Sequence, residues 1–258
     1  MKTWCRSFAV AFAMYSRIPM PRVEWEPQSM RYALCFFPLV GAVNGISLYF
    51  WLLFCARFDI SQVTAAAVAV VLPVAITGGI HLDGFCDTVD ALASHQPASR
   101  KLEILKDPHI GAFALIGCCV YLLLQFGLWA QYRFRPETAW VISLGFVLSR
   151  AMSGFSVVTF RCAKTSGLAA VFSNAAQKNA VRAAMAGYAF VSAAAMLYLA
   201  PLTGGAAVLG AAVVFIWYRR LSMKEFGGIT GDLAGWSLQV CELVMLFAVV
   251  VMGEWKWN

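Results

Sequence analysis

From residue 34 onward the chain alternates between apolar stretches of about 20 residues, the length a bilayer core requires, and short polar segments. Seven such stretches run over 34–56, 61–80, 110–131, 138–160, 181–200, 204–218 and 232–252. The sixth is short and rich in Gly and Ala, and the fifth carries Arg182 near its start, so their ends are the least sharply marked. Residues 1–33 differ: Arg6, Arg17, Arg22 and Arg31, with Trp4 and Trp25, give an amphipathic basic segment, and Pro19, Pro21 and Pro27 interrupt it. This pattern predicts an interfacial helix ending at Ile18–Pro19, then a proline-rich connector. The fold class is all-α: a polytopic integral membrane bundle of about seven transmembrane helices plus the amino-terminal interfacial helix, in one membrane-embedded domain over 1–258.

Composition supports the bilayer as partner. Hydrophobic residues make up 61% of the chain and charged ones 13%, about half the charged share of a soluble protein. The net charge of +7 is scattered between apolar spans, with no basic run interleaved with aromatics, so no nucleic-acid partner is expected. With the amino terminus inside, 15 of the 20 Lys and Arg fall in inside segments, four (Arg57, Arg133, Arg135 and Lys256) fall outside, and Arg150 lies within a span. That bias predicts a cytoplasmic amino terminus and a carboxyl terminus on the other side. The first apolar run, FAVAFAMY at 8–15, is short and lacks a small-residue cleavage site, so no cleaved leader is expected. The eight cysteines show no metal-ligand spacing and read as buried thiols.

One polar stretch interrupts this background: GGIHLDGFCDTVDAL at 78–92. On a helix Asp83, Asp87 and Asp90, at i, i+4 and i+7, share an arc of roughly 60°. Three like charges so close call for a cation, either a hard divalent metal or Arg and Lys side chains. The plain alternative is a solvated helix face. The charge bias puts this stretch at the cytoplasmic end of the second span, together with 100–111, 161–178 and 226–232. A site assembled from several loops on one face suggests an enzyme more than a conduit. Gly78 and Gly79 read as the break between a span and a separate catalytic helix.

Arg150 and Glu242 are ionisable groups inside spans, each about 15 Å deep at 1.5 Å per residue. They can meet, either as a lock between two helices or at the floor of a substrate pocket. Asp232, Gln239 and Glu242 form one polar stripe, implying an interior-facing wall. The turn GGITGD leads glycine-rich backbone into a helix start, an anion site at Thr230 and Gly231, with Asp232 as cap or metal ligand. Arg100, Lys106, Asp107 and His109 mix phosphate-binding cations with a fourth carboxylate, as a solvated loop would too. His81 faces nearly opposite the Asp triplet and is a catalytic candidate set against a structural hydrogen-bonder. Carboxylates, basic loops and a Gly-rich turn together fit Mg²⁺-assisted phosphoryl transfer.

HLDGFCDTVDAL, with YSRIPMP at 15–21, FPLVG at 37–41, KDPHIGAFAL at 106–115 and GGITGDLAG at 227–235, resembles the cobalamin synthase family nearly end to end and in the family's order. Phe85, Cys86, Ala91, Pro108 and His109 stand at variable places and remove no carboxylate. The resemblance implies a bacterial inner-membrane, Mg²⁺-dependent enzyme of the last steps of vitamin B12 assembly. Such an enzyme joins adenosylcobinamide-GDP to α-ribazole or its 5′-phosphate and releases GMP. The residues themselves, not the resemblance, supply the roles: Asp83, Asp87 and Asp90 are expected to be catalytic and to hold the metal, with Asp232 as a further ligand. Arg100, Lys106, Asp107, Arg150, Thr230, Gly231 and Glu242 are the substrate-binding candidates. A homo-oligomer and association with other cobalamin-pathway enzymes stay open. Two alternatives are a CDP-alcohol phosphotransferase-like enzyme, whose DGxxAR core is absent here, and an ion or vitamin transporter, which would carry polar groups into the outer half of the bilayer.

Overall fold

A chain in hydrocarbon must satisfy its backbone groups within each segment, and the computed structural model, which describes residues 3–254, is helical throughout its apolar stretches. Lys2 and Lys256, counted in the charge bias, lie outside the described residues. The amino-terminal helix α1 (Thr3–Tyr15) is followed, after an extended connector, by the single turn α2 (Pro27–Met30) and a 3₁₀ turn at Ala33–Phe36. Then come α3 (Phe37–Arg57), α4 (Gln62–Thr77), α5 (Ile80–Ala93), α6 (Ala98–Ile104), α7 (Ala112–Gln131) and α8 (Pro136–Thr159). The last four are α9 (Leu168–Ala175), α10 (Lys178–Leu199), α11 (Pro201–Phe226) and α12 (Gly231–Glu254).

Among the described residues six helices are long and apolar enough to cross a membrane, and α4 with α5 passes the same test only as a pair bent by 97°. The bend falls on Gly78 and Gly79, both left-handed at φ 67° and 80°, a conformation that costs residues with a Cβ. We read α4 as the membrane-crossing member and α5 as leaving the span at its end. Helix α1 stops at Tyr15, ahead of the expected Ile18–Pro19, because the Ser16 hydroxyl turns back to the Phe12 carbonyl at 2.7 Å and accepts from Ile18 N–H. The sixth span, expected over 204–218, is longer. Its helix continues past the apolar run through Arg219, Arg220 and Lys224, whose long side chains suit an interface, and ends where Gly227 turns left-handed at φ 72°.

Helices α8 and α12 are the most buried of the spans. Helix α3 lies directly on α8, because a Cβ on Gly41 or Gly45 would come within 2.2 Å of the Phe146 carbonyl oxygen or 2.4 Å of that of Ser143. At one end of the bundle the connecting segments are tied together. Arg17 N–H donates to Ile76 O (2.7 Å), and Gln177 N–H to Arg31 O (3.0 Å). Lys101 on α6 pairs with Glu225 at the end of α11 at 2.5 Å.

Candidate active site

Helix α5 forms as the acidic spacing predicts, so Asp83, Asp87 and Asp90 stand on successive turns of one face. What they face was not legible in the spacing. Gly84 has no side chain, and a Cβ there would sit 2.9 Å from Asp232 Cα and 3.0 Å from its carbonyl oxygen. Gly235, one turn on, would put its Cβ 3.2 Å from His81 O. Helices α5 and α12 therefore touch backbone to backbone, and the first turn of α12 carries Asp232 in beside the α5 carboxylates. Burial, then the charges of Asp83, Asp232 and Asp90, push the Asp87 carboxyl up to about 6.

The start of α12 is capped by Thr230, whose hydroxyl oxygen accepts from Leu233 N–H at 3.2 Å. The first N–H groups of this 24-residue helix have no helical partner and favour an anion. A parallel bridge holds the preceding turn, with Ala163 N–H to Ile229 O at 2.9 Å and Ile229 N–H to Arg161 O at 2.8 Å. Two residues beyond, Lys164 donates to the Leu102 carbonyl. Burial lowers the Lys164 pKa, and the neighbouring Lys106 charge lowers it further. Both lysines line a cavity of about 330 Å³, with Asp83, Asp232, Thr230, Gly231 and His81. Lys164 carries no motif; only the pairing of Cys162 with Ile229 brings it here.

The remaining candidates are placed differently. His81 is buried, with Nε2 unpartnered among the described residues; burial, and secondarily the Arg150 charge, hold its pKa well below the ordinary value and keep the imidazole neutral. Asp90 accepts from Ala114 N–H at 3.3 Å and sits over Gly111, at the start of α7. Asp107 is exposed and accepts from His109 N–H at 3.0 Å, which lowers its pKa. Arg100 pairs with Glu103 at 2.5 Å on the surface. Arg150 and Glu242 do meet, at 2.5 Å and 1% and 9% exposed, with Ser149 donating to the same carboxylate oxygen at 2.9 Å. Neither is among the residues that line the cavity.

Among the described residues no three His, Cys, Asp or Glu side chains form a group that could hold a metal ion by themselves. A magnesium ion does not need such a cage, since it keeps several waters and takes one or two carboxylates plus phosphate oxygens. Asp83 and Asp232 on the cavity wall, with Asp87 beside them, supply that number, and a cation offsets both the burial and the neighbouring charges that raise Asp87. The donor set fits.

The model of one protein family, described as cobalamin-5-phosphate synthase, matches residues 7–250. An adenosylcobinamide-GDP ribazoletransferase of Lachnoclostridium phytofermentans is 45% identical over 96% of this chain and 94% of its own. Proteins of the same description from Clostridium botulinum (strain Alaska E43) and Pseudomonas fluorescens are each 30% identical, over 96% and 95% of this chain and 98% and 99% of theirs. No solved structure matches. With a family model that runs from α1 into the last apolar stretch and takes in the carboxylates of both α5 and α12, the chain belongs to the cobalamin-5-phosphate synthase family, transferases of cobalamin biosynthesis.

Proposed function

We propose that this chain is a ribazoletransferase that works in the cavity between α5 and α12, on the cytoplasmic face of a bacterial inner membrane. It joins adenosylcobinamide-GDP to α-ribazole or its 5′-phosphate. A ribazole hydroxyl attacks the cobinamide-linked phosphorus and gives up its proton to water, a new P–O bond forms, the bridge to the nucleotide breaks, and GMP leaves. Magnesium, when bound, offsets the charge of the phosphate oxygens, and Asp83, Asp87 and Asp232 are the residues that hold it. Lys106 and Lys164 clamp the diphosphate from the opposite loops, and the capped start of α12 at Thr230 and Gly231 receives a phosphate oxygen. One observation carries the reading: the Gly84–Asp232 backbone contact puts carboxylates of two helices beside one cavity that also holds two lysines. The site face is cytoplasmic because it collects the loops richest in Lys and Arg.

The test uses purified protein in liposomes with adenosylcobinamide-GDP and α-ribazole, with and without Mg²⁺. Magnesium-dependent release of GMP with formation of a cobamide is expected. Release of GMP without cobamide, or turnover indifferent to Mg²⁺, would defeat the proposal.

A further inference from the structure

The cavity has a second character that phosphoryl transfer does not use. Four rings from four separate elements line it: Tyr15 of α1, Phe37 of α3, His81 of α5 and Phe172 of α9. Tyr15 lies 4.2 Å from Phe37 between centroids, and Phe37 lies 5.6 Å from His81. Tyr15 is 6.0 Å from Phe172 and 6.1 Å from His81. Met14 and Leu34 extend the same wall. Phe37 and Phe172 are themselves nearly closed off, at 3% and 1% exposed, and the half-buried Tyr15 is the most open ring of a cluster that borders space continuous with the carboxylates. Its polar groups are the Tyr15 hydroxyl and the imidazole, whose Nε2 has no hydrogen-bond partner among the described residues.

Three aromatic bases belong to the proposed reaction, guanine and the adenine of the adenosyl group on the donor and the ribazole base on the acceptor. Guanine presents several donors and acceptors, and an apolar wall would leave most of them desolvated and unpaired, at a cost in binding; adenine, like guanine, carries polar edges that such a wall would leave unpaired. The ribazole base is a fused ring with a carbocyclic edge, which aromatic faces hold without that penalty. Continuity matters as well, because a base seated on the rings leaves its sugar reaching toward Asp83 and Asp232. We infer, resting on the ribazole-transfer reading, that the wall of Tyr15, Phe37, His81 and Phe172 is the subsite for the apolar base of the nucleoside acceptor. It selects the acceptor, while the carboxylate and lysine end handles the diphosphate. Tyr15 and Phe172 come from short helices outside the spans, so their share of the selection is separable from the chemistry borne by α5 and α12.

Labelled α-ribazole binding to the liposome-borne protein is measured by equilibrium dialysis for wild type, Tyr15→Leu and Phe172→Leu. Each variant is expected to bind it about 10-fold or more weakly, the size of losing one good aromatic contact, and in turnover to raise the KM for α-ribazole while that for adenosylcobinamide-GDP stays within about twofold. In the wild type alone, which avoids any folding defect, an α-riboside of plain imidazole should bind about 10-fold or more weakly than α-ribazole. Equal binding of the two ribosides, or a KM rise confined to adenosylcobinamide-GDP, overturns the inference. Binding without cobamide formation would instead reject the reaction while keeping the subsite.

Discussion

Replacing Gly84 by Ala tests whether the two carboxylate-bearing helices must touch. The added Cβ would meet the Asp232 backbone at 2.9 Å, 3.0 Å and 3.3 Å, and ordinary contact begins at 3.4 Å, so α12 must retreat by about 0.5 Å. No flexible side chain can yield in its place, since all three neighbours are main-chain atoms. Overpacking of this kind costs about 1–3 kcal/mol of stability, and a misplacement approaching 1 Å at a reacting centre costs on the order of 10²-fold in rate. We expect Gly84→Ala to lose about 10- to 100-fold in kcat while still inserting. Gly235→Ala, whose Cβ meets His81 O at 3.2 Å and His81 Cα at 3.4 Å, should lose only a few-fold. Gly127→Ala on α7 meets nothing within 4 Å and should keep full activity, with stability unchanged or raised by about 0.5–1 kcal/mol. The assay is GMP release per folded molecule, with thermal unfolding in detergent alongside. Wild-type turnover in Gly84→Ala, or a loss in Gly127→Ala as large, would refute the argument that this contact assembles the site.

Asp83→Asn and Asp87→Asn should each lower Mg²⁺-dependent turnover by about 10²-fold or more with unfolding temperature unchanged; full turnover in either, measured across a Mg²⁺ titration, rules out its metal role. Lys164→Ala should raise the KM for adenosylcobinamide-GDP about 10-fold and kcat should change less, and a response identical to wild type would remove Lys164 from the clamp. Truncating one member of the deep ion pair, as in Arg150→Met or Glu242→Ala, should destabilise by about 3–5 kcal/mol because it strands a buried charge. The double variant Arg150→Met/Glu242→Gln should recover part of that loss, and its failure to do so in detergent melts would argue against a lock.

The spans and the break at Gly78–Gly79 could be read from the chain because each depends on local facts, the length of an apolar run and two residues free of a Cβ. The expected interior wall of Asp232, Gln239 and Glu242 was legible for the same reason, since it needs only helical spacing. The site was legible as a list of groups and not as an arrangement. Asp90 follows Asp87 at the right spacing for a third ligand, yet its carboxylate takes an N–H at the start of α7, a helix that begins 22 residues later. Arg100 and Lys106 look alike in a basic loop. One pairs with Glu103 in solvent and the other reaches the cavity, and the difference lies in how α6 docks on α11 through Lys101 and Glu225. Lys164 was invisible as a site residue because the neighbouring Cys162–Ile229 bridge places it, and nothing local in either segment announces that pairing.

The stripe on α12 explains why a site at one end of the bundle needs polar groups buried deep within it. Each turn of the stripe meets a different helix. At the top, Asp232 meets α5 across Gly84. Seven residues down, Gln239 accepts from the Tyr121 hydroxyl of α7, which also accepts from Gln125 at 3.0 Å. Three residues further, Glu242 takes Arg150 and Ser149 of α8. Apolar packing alone tolerates small slides and rotations of one helix on another, whereas a buried donor and acceptor have one register in which both are paired and pay several kcal/mol in any other. Two such pairs on one face fix both the height and the rotation of α12. Its first turn then arrives against α5 within the few tenths of an ångström that the Gly84 contact allows. On the proposed function the deep pair is then a positioning device for Asp232 rather than a substrate contact.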